Sequence, residues 1–150
     1  MRKEKATAPL GRNDLLNRLA LSEAETLLLV DAPPSLRELL DSERPKDRPA
    51  RSIAGKAIRS VKETFDAILV WREDREGSRS LLDQLVKRLS PGGILWVVTA
   101  KRKVMGPRTP AARRIELPDL VKAFSKQGLA QDREAKVSAW NVAYRFRRPG

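Results

Sequence analysis

Two stretches of this chain, residues 65–71 and 94–99, are apolar at nearly every position, and between them Leu81, Leu82, Leu85, Val86 and Leu89 fall on one helical face. A strand with one wet face alternates apolar and polar residues, whereas a continuous apolar run needs cover on both sides. The two runs therefore read as parallel strands joined by a crossover helix, a right-handed unit by the near-universal chirality of such connections. This makes the chain an α/β protein with a three-layer, mostly parallel sheet. The junction is residues 89–98, LSPGGILWVV, where Pro91 and Gly92 end the helical stripe and the buried strand follows.

The rest of the chain fits around that unit. Residues 26–30 are an earlier apolar strand that ends at Asp31-Ala32-Pro33-Pro34, after which Leu36, Leu39 and Leu40 return at helical spacing. Asp31 is placed to cap this helix through its side chain. Residues 41–52 mix prolines and arginines with acids and serines and read as a surface loop, and 57–61 reads as an edge strand. Pro118 suits the first turn of a helix bearing Leu120, Val121 and Phe124, which Gly128 terminates. Residues 131–137 and 140–146 form an antiparallel terminal hairpin, with Trp140, Val142, Tyr144 and Phe146 alternating with Asn141, Ala143, Arg145 and Arg147. Near the start, Asn13 caps a short helix carrying Leu15, Leu16 and Leu19. Residues 1–12 are expected to be a basic, poorly ordered leader and residues 13–150 a single domain.

The chain contains neither cysteine nor histidine. Disulfides, thiolate nucleophiles, zinc sites and Ser-His-Asp or Cys-His catalysis are thereby excluded, and no metal site is expected. No signal peptide or run of membrane-spanning length is evident, so the expectation is a soluble cytoplasmic protein without a membrane partner. The net charge is +12, and half of it lies in residues 101–114, where Lys101, Arg102, Lys103, Arg108, Arg113 and Arg114 occur without an acid. Such a cluster suits an anionic partner. The plainer reading is a solubilising surface.

The runs FDAILVW (65–71), LSPGGILWVV (89–98) and AWNVAYRF (139–146), with a helix before the terminal hairpin, resemble the carboxyl half of the S-adenosylmethionine-dependent methyltransferase fold. At finer scale the chain resembles a small bacterial family of unknown function. The shared features are Asp31-Ala32-Pro33 after the first strand, Phe65-Asp66, the L-x-P-G-G turn into a W-V strand, Lys101-Arg102 and Trp140. The resemblance spans about residues 10–148 and implies a trimmed, Rossmann-like fold with no established activity.

Active members of the methyltransferase superfamily carry a glycine-rich loop after strand one, because only glycine lets the backbone approach the cofactor closely. Here that position reads Asp31-Ala32-Pro33-Pro34-Ser35, where two prolines remove two backbone donors and stiffen the turn. The acid that ends strand two and binds ribose has one possible counterpart, Glu63. Only Thr64 and Phe65 separate it from Asp66, which leaves no room for the helix and third strand that normally intervene. S-adenosylmethionine is therefore not expected as a cofactor, and no catalytic residue is assigned. Asp66 stands at a strand start, as a turn acid. Glu73 and Asp74 leave the correct end of their strand for metal or acid–base work, but flanking Arg72 and Arg75 favour ion pairs. Trp71, Trp96 and Trp140 fall in apolar strands and read as core rather than as stacking platforms.

The leading reading is thus a non-catalytic module that binds an anionic partner, nucleic acid among the candidates, through Lys101, Arg102, Lys103, Arg108, Arg113 and Arg114. The alternative is a scaffold subunit for a protein partner. Methyl transfer is the least supported of the three.

Overall fold

A computed structural model describes residues 19, 21, 24–75, 77–100, 114–138 and 141–148. Six strands form one sheet: β1 (Leu27–Val30), β2 (Arg51–Ile53), β3 (Phe65–Trp71), β4 (Leu89–Ala100), β5 (Ala130–Lys136) and β6 (Asn141–Arg147). Among the described residues three α-helices are complete, α1 (Pro34–Glu43), α2 (Ser78–Lys87) and α3 (Leu117–Ser125), with a 3-10 helix at Gly55–Ser60. The strand order is β2-β1-β3-β4-β6-β5. The first four strands run parallel, and β6 pairs antiparallel with both β4 and β5.

The continuous apolar runs are explained by two cores, one on each face. Val30, Ile68, Val70, Leu95 and Val97 pack with Ile58, Leu81, Leu85, Leu120 and Phe124 beneath the 3-10 helix, α2 and α3. The alternate residues Leu27, Leu29, Leu69, Trp96 and Val98 face Leu36 and Leu40 of α1, with Leu19 and Leu21. Successive side chains of a strand point to opposite faces, so a strand between two helical layers has no solvent side to mark with polar residues. Trp96 is fully buried and its indole N–H donates to the Leu19 carbonyl at 2.9 Å. Its ring also receives Arg145, whose guanidinium carbon is 5.9 Å from the ring centroid. Arg145 in turn donates twice to Asp132 across the hairpin, at 2.8 Å each, and this holds the Asp132 carboxyl below its ordinary range.

Several elements differ from the sequence reading. The segment expected to be a loop over 41–52 instead extends α1 to Glu43 and supplies β2, whose three residues pair with β1. The edge strand expected at 57–61 is the 3-10 helix. Gly55, Ile58 and Val61 are buried at intervals of three, which is the 3-10 repeat and not the strand repeat. Leu89 belongs to β4, since α2 ends at Lys87. The Pro91-Gly92-Gly93 turn is an irregularity within β4, between the pairs Phe65↔Leu89 and Ala67↔Ile94, with Gly92 at φ 76°. Asp66 lies inside β3 opposite it and accepts a hydrogen bond from the Ser90 hydroxyl at 2.9 Å. Val121 is 41% exposed rather than core. The leader, Asn13, Leu15, Leu16 and Trp140 lie outside the described residues.

Arg44 ties α1 to the segment ahead of β1. It is buried, and its guanidinium donates to the carbonyls of Leu21, Glu25 and Arg48. Desolvation, then Arg48, lowers its pKa. Hydrogen bonds from a charged donor are each worth about 1.5–3 kcal/mol, and their loss here leaves buried carbonyls unsatisfied. Arg44→Ala is expected to destabilise the protein by about 2–4 kcal/mol in urea unfolding. Arg44→Lys should recover only part of that, because an ammonium cannot reproduce the planar fork.

Candidate functional site

The four parallel strands deliver their carboxyl ends to one sheet edge, and α1 and α2 start there. The chain runs outward from β1 to β2 and then returns to the other side of β1 as β3, so the topological switch lies between β1 and β3. Ligands of open α/β sheets bind at such a point.

At the switch the chain closes on itself. Asp31 adopts φ 57°, the left-handed region that a β-carbon disfavours but aspartate tolerates. Its backbone N–H donates to the Ile53 carbonyl at 3.0 Å, and its carboxylate accepts the Gly55 N–H at 2.9 Å. The expected helix cap is therefore not made. α1 has Pro33 at its N-cap with no side-chain hydrogen bond and Pro34 in its first turn, while the Asp31 carboxylate is turned toward the 3-10 helix. Gly55 is required by close approach: a β-carbon there would lie 2.8 Å from Asp31 Oδ2 and 3.2 Å from Leu81 Cδ2.

The features that the resemblance implies for a cofactor have no counterpart among the described residues. The turn after β1 keeps Asp31, Ala32, Pro33, Pro34 and Ser35 without glycine, and β2 ends at Ile53, followed by Ala54, without an acid. Glu63 is not that acid. It precedes β3 at the opposite edge and accepts a 2.7 Å hydrogen bond from Arg51, the first residue of β2. Its carboxyl is held below the ordinary range by its own backbone N–H and by Arg51. These residues do not fit S-adenosylmethionine in the manner of the glycine-cradled members of the fold.

Glu73 and Asp74 do stand at the carboxyl edge, as expected, but they are absorbed into structure. Glu73 accepts a 2.9 Å hydrogen bond from the side-chain amide of Asn141, which also donates to the Thr99 carbonyl at 3.2 Å. The Glu73 carbonyl accepts the Ile115 N–H at 2.9 Å, and Asp74 forms an antiparallel bridge with Arg114. No group of three or more acids disposed to hold a metal occurs among the described residues.

Of the six basic residues singled out above, Lys101, Arg102, Lys103, Arg108 and Arg113 lie outside the described residues. Their flanks are described: the stretch leaves the carboxyl edge at Ala100, the end of β4, and returns to it at Arg114 beside Asp74. Arg114 itself is only 7% exposed. Two further cations at this edge, Lys56 and Arg59, escaped the sequence reading. Lys56, Arg59, Arg72, Ser80 and Gln84 line a cavity of about 280 Å³ between the 3-10 helix and α2. Arg72 is held by its Nε–H, which donates to Ser78 Oγ at 2.8 Å. The available signal was the interval of three between Lys56 and Arg59.

Comparison with solved structures places this architecture among S-adenosylmethionine-dependent methyltransferase folds. A SAM-dependent methyltransferase from Aquifex aeolicus superposes with a TM-score of 0.69 at 14% identity, covering 91% of this chain and 89% of that one. The N-methyltransferase NodS from Bradyrhizobium japonicum WM9 gives 0.59 at 19% identity, covering 91% and 94%. The mitomycin 7-O-methyltransferase MmcR gives 0.62 at 14% identity, and this chain spans about half of its length, 50%, while 86% of this chain is covered. At these identities the likeness is one of fold. The sequence matches no protein-family model and no curated protein.

The closure at the switch can be tested by substitution. Gly55→Ala is expected to cost about 1–3 kcal/mol, from overpacking against Asp31 and Leu81. Asp31→Asn, which keeps an acceptor and tolerates the left-handed conformation, should be milder than Asp31→Ala, which loses both. Thermal or urea unfolding of the three variants gives the ranking.

Proposed function

We propose that this chain is a non-catalytic, methyltransferase-fold module whose carboxyl edge binds an anionic partner, with nucleic acid the class favoured. The observation that carries the reading is the Asp31–Gly55 contact, which ties the turn after β1 to the 3-10 helix after β2, beside the switch point, in a turn that has no glycine with which to cradle a cofactor. Methyl transfer has little support beside it, since the residues that would hold S-adenosylmethionine are not of the required types. The basic stretch 101–114 supports the choice of partner, because both of its flanks stand at the edge where sheets of this kind bind ligands. Lys101, Arg102, Lys103, Arg108 and Arg113 are the contacts in this reading, and buried Arg114 anchors the stretch's return. The protein-scaffold reading lacks a favouring observation on the terminal hairpin: the exposed side chains of β5 are mostly charged, and Val121 on α3 is the single large exposed apolar residue among those described. No helix among the described residues is long and apolar enough to cross a membrane.

Binding through phosphates releases counterions, so affinity falls steeply with salt. Five such contacts on a DNA duplex correspond to a loss of several hundredfold between about 50 and about 200 mM salt. Fluorescence anisotropy on a labelled duplex is expected to show that loss, and Arg102→Ala with Lys103→Ala should reduce the slope by about two contacts' worth. Affinity that stays flat with salt, or is unchanged in the double variant, would contradict the reading.

A further inference from the structure

We infer that the cavity between the 3-10 helix and α2 is a binding site for a phosphate group, carried as the free dianion or as a monoester. The site goes beyond the basic stretch, because its described lining comes from the 3-10 helix, from α2 and from Arg72 and Gly77 between β3 and α2.

Its chemistry follows from two helical repeats facing each other. In a 3-10 helix side chains three apart eclipse, so burial of Gly55, Ile58 and Val61 places Lys56 and Arg59 together on another face. Both side chains are exposed, and neither makes an ion pair with a described residue. Across the cavity Ser80 and Gln84 stand four apart, one above the other on α2. The Gln84 carbonyl oxygen accepts a 2.8 Å hydrogen bond from Arg88, which leaves its amide N–H groups as the donors available to the cavity. Arg72 adds a second guanidinium beside that of Arg59, fixed by Ser78 and lying against Gly77, where a β-carbon would be 3.4 Å from Arg72 Nη2.

Among the described residues the lining therefore holds three cations and two neutral donors, and none of these residues is an acid. Donors on two opposed rows suit a tetrahedral group with several acceptor oxygens better than a planar carboxylate, which a single arginine fork satisfies. The first turn of α2, which contains no acid, adds to the positive field. Buried Ile58 and Leu81 give the cavity an apolar side, where a charge-assisted hydrogen bond is less screened than in open water. At about 280 Å³ the cavity has the space of roughly nine waters at ~30 Å³ each. That admits a phosphate and the first carbons of an ester.

The test is an amide NMR titration of the full chain with inorganic phosphate, against sodium chloride of equal ionic strength. Saturable shifts confined to residues 55–59 and 77–84 are expected. Lys56→Ala with Arg59→Ala should weaken the affinity at least tenfold, and since both side chains are exposed the spectrum should otherwise keep its dispersion. Arg102→Ala with Lys103→Ala should leave phosphate binding unchanged, which separates this site from the basic stretch. Tighter binding of ribose 5-phosphate than of phosphate would assign the site to a monoester, and equal binding would assign it to the free ion. Shifts that do not saturate, spread over the surface, or are reproduced by chloride would overturn the site.

Discussion

The hydrogen bond from the Gly55 N–H to the Asp31 carboxylate, 2.9 Å long, fixes the carboxyl ends of the first two strands to each other. It joins the turn after the first strand to the helix after the second, beside the point where open α/β sheets usually receive their ligand. Three local features converge on it. Asp31 accepts a left-handed backbone, Gly55 offers no β-carbon, and Leu81 of α2 packs against the same spot. Each is ordinary alone, but together they make a close-packed contact inside the protein beside the turn after β1.

The remainder of the edge is built on the same principle of internal satisfaction. Asn141 joins β6 to Glu73 after β3 and to the Thr99 carbonyl of β4, while residues 114 and 115 return to pair with residues 73 and 74. The acids that could have served chemistry are therefore drawn into packing. The cations Lys56 and Arg59 are left facing solvent and a cavity. A surface of that kind attracts anions and steers them, a property of charge placement rather than of fold. The superposed methyltransferases share the architecture with this chain at 14–19% identity, a level that shows the fold alone.

Much of the architecture was legible because burial on two faces leaves an unmistakable pattern. FDAILVW and ILWVVT could be nothing but inner strands, and the stripe Leu81, Leu82, Leu85, Val86 located α2. The terminal hairpin was legible from the alternation in its second strand and from the adjacency of its two strands in sequence. What escaped reading was held by backbone pairing or by an unfamiliar period. β2 has three residues with no buried side chain among them, so only its ladder with β1 defines it. The 3-10 helix presents apolar residues three apart, a spacing easily taken for a twisted strand, and Leu89 continues a helical stripe that the backbone has already left. At the site, the missing glycines after β1 were visible in the sequence. The partner of Asp31 was not, because it lies 24 residues away and depends on where the 3-10 helix packs.

The most direct test of this account is the hydrogen-exchange rate of the single Gly55 amide, followed by NMR with and without S-adenosylmethionine in large excess. If that N–H is bonded to Asp31 and packed beneath Leu81, it should exchange slowly, near the rate set by global unfolding, and the cofactor should leave it unchanged. Rapid exchange of Gly55 that S-adenosylmethionine then slows would contradict the account, for it would mean that the switch point is open and that the cofactor orders it.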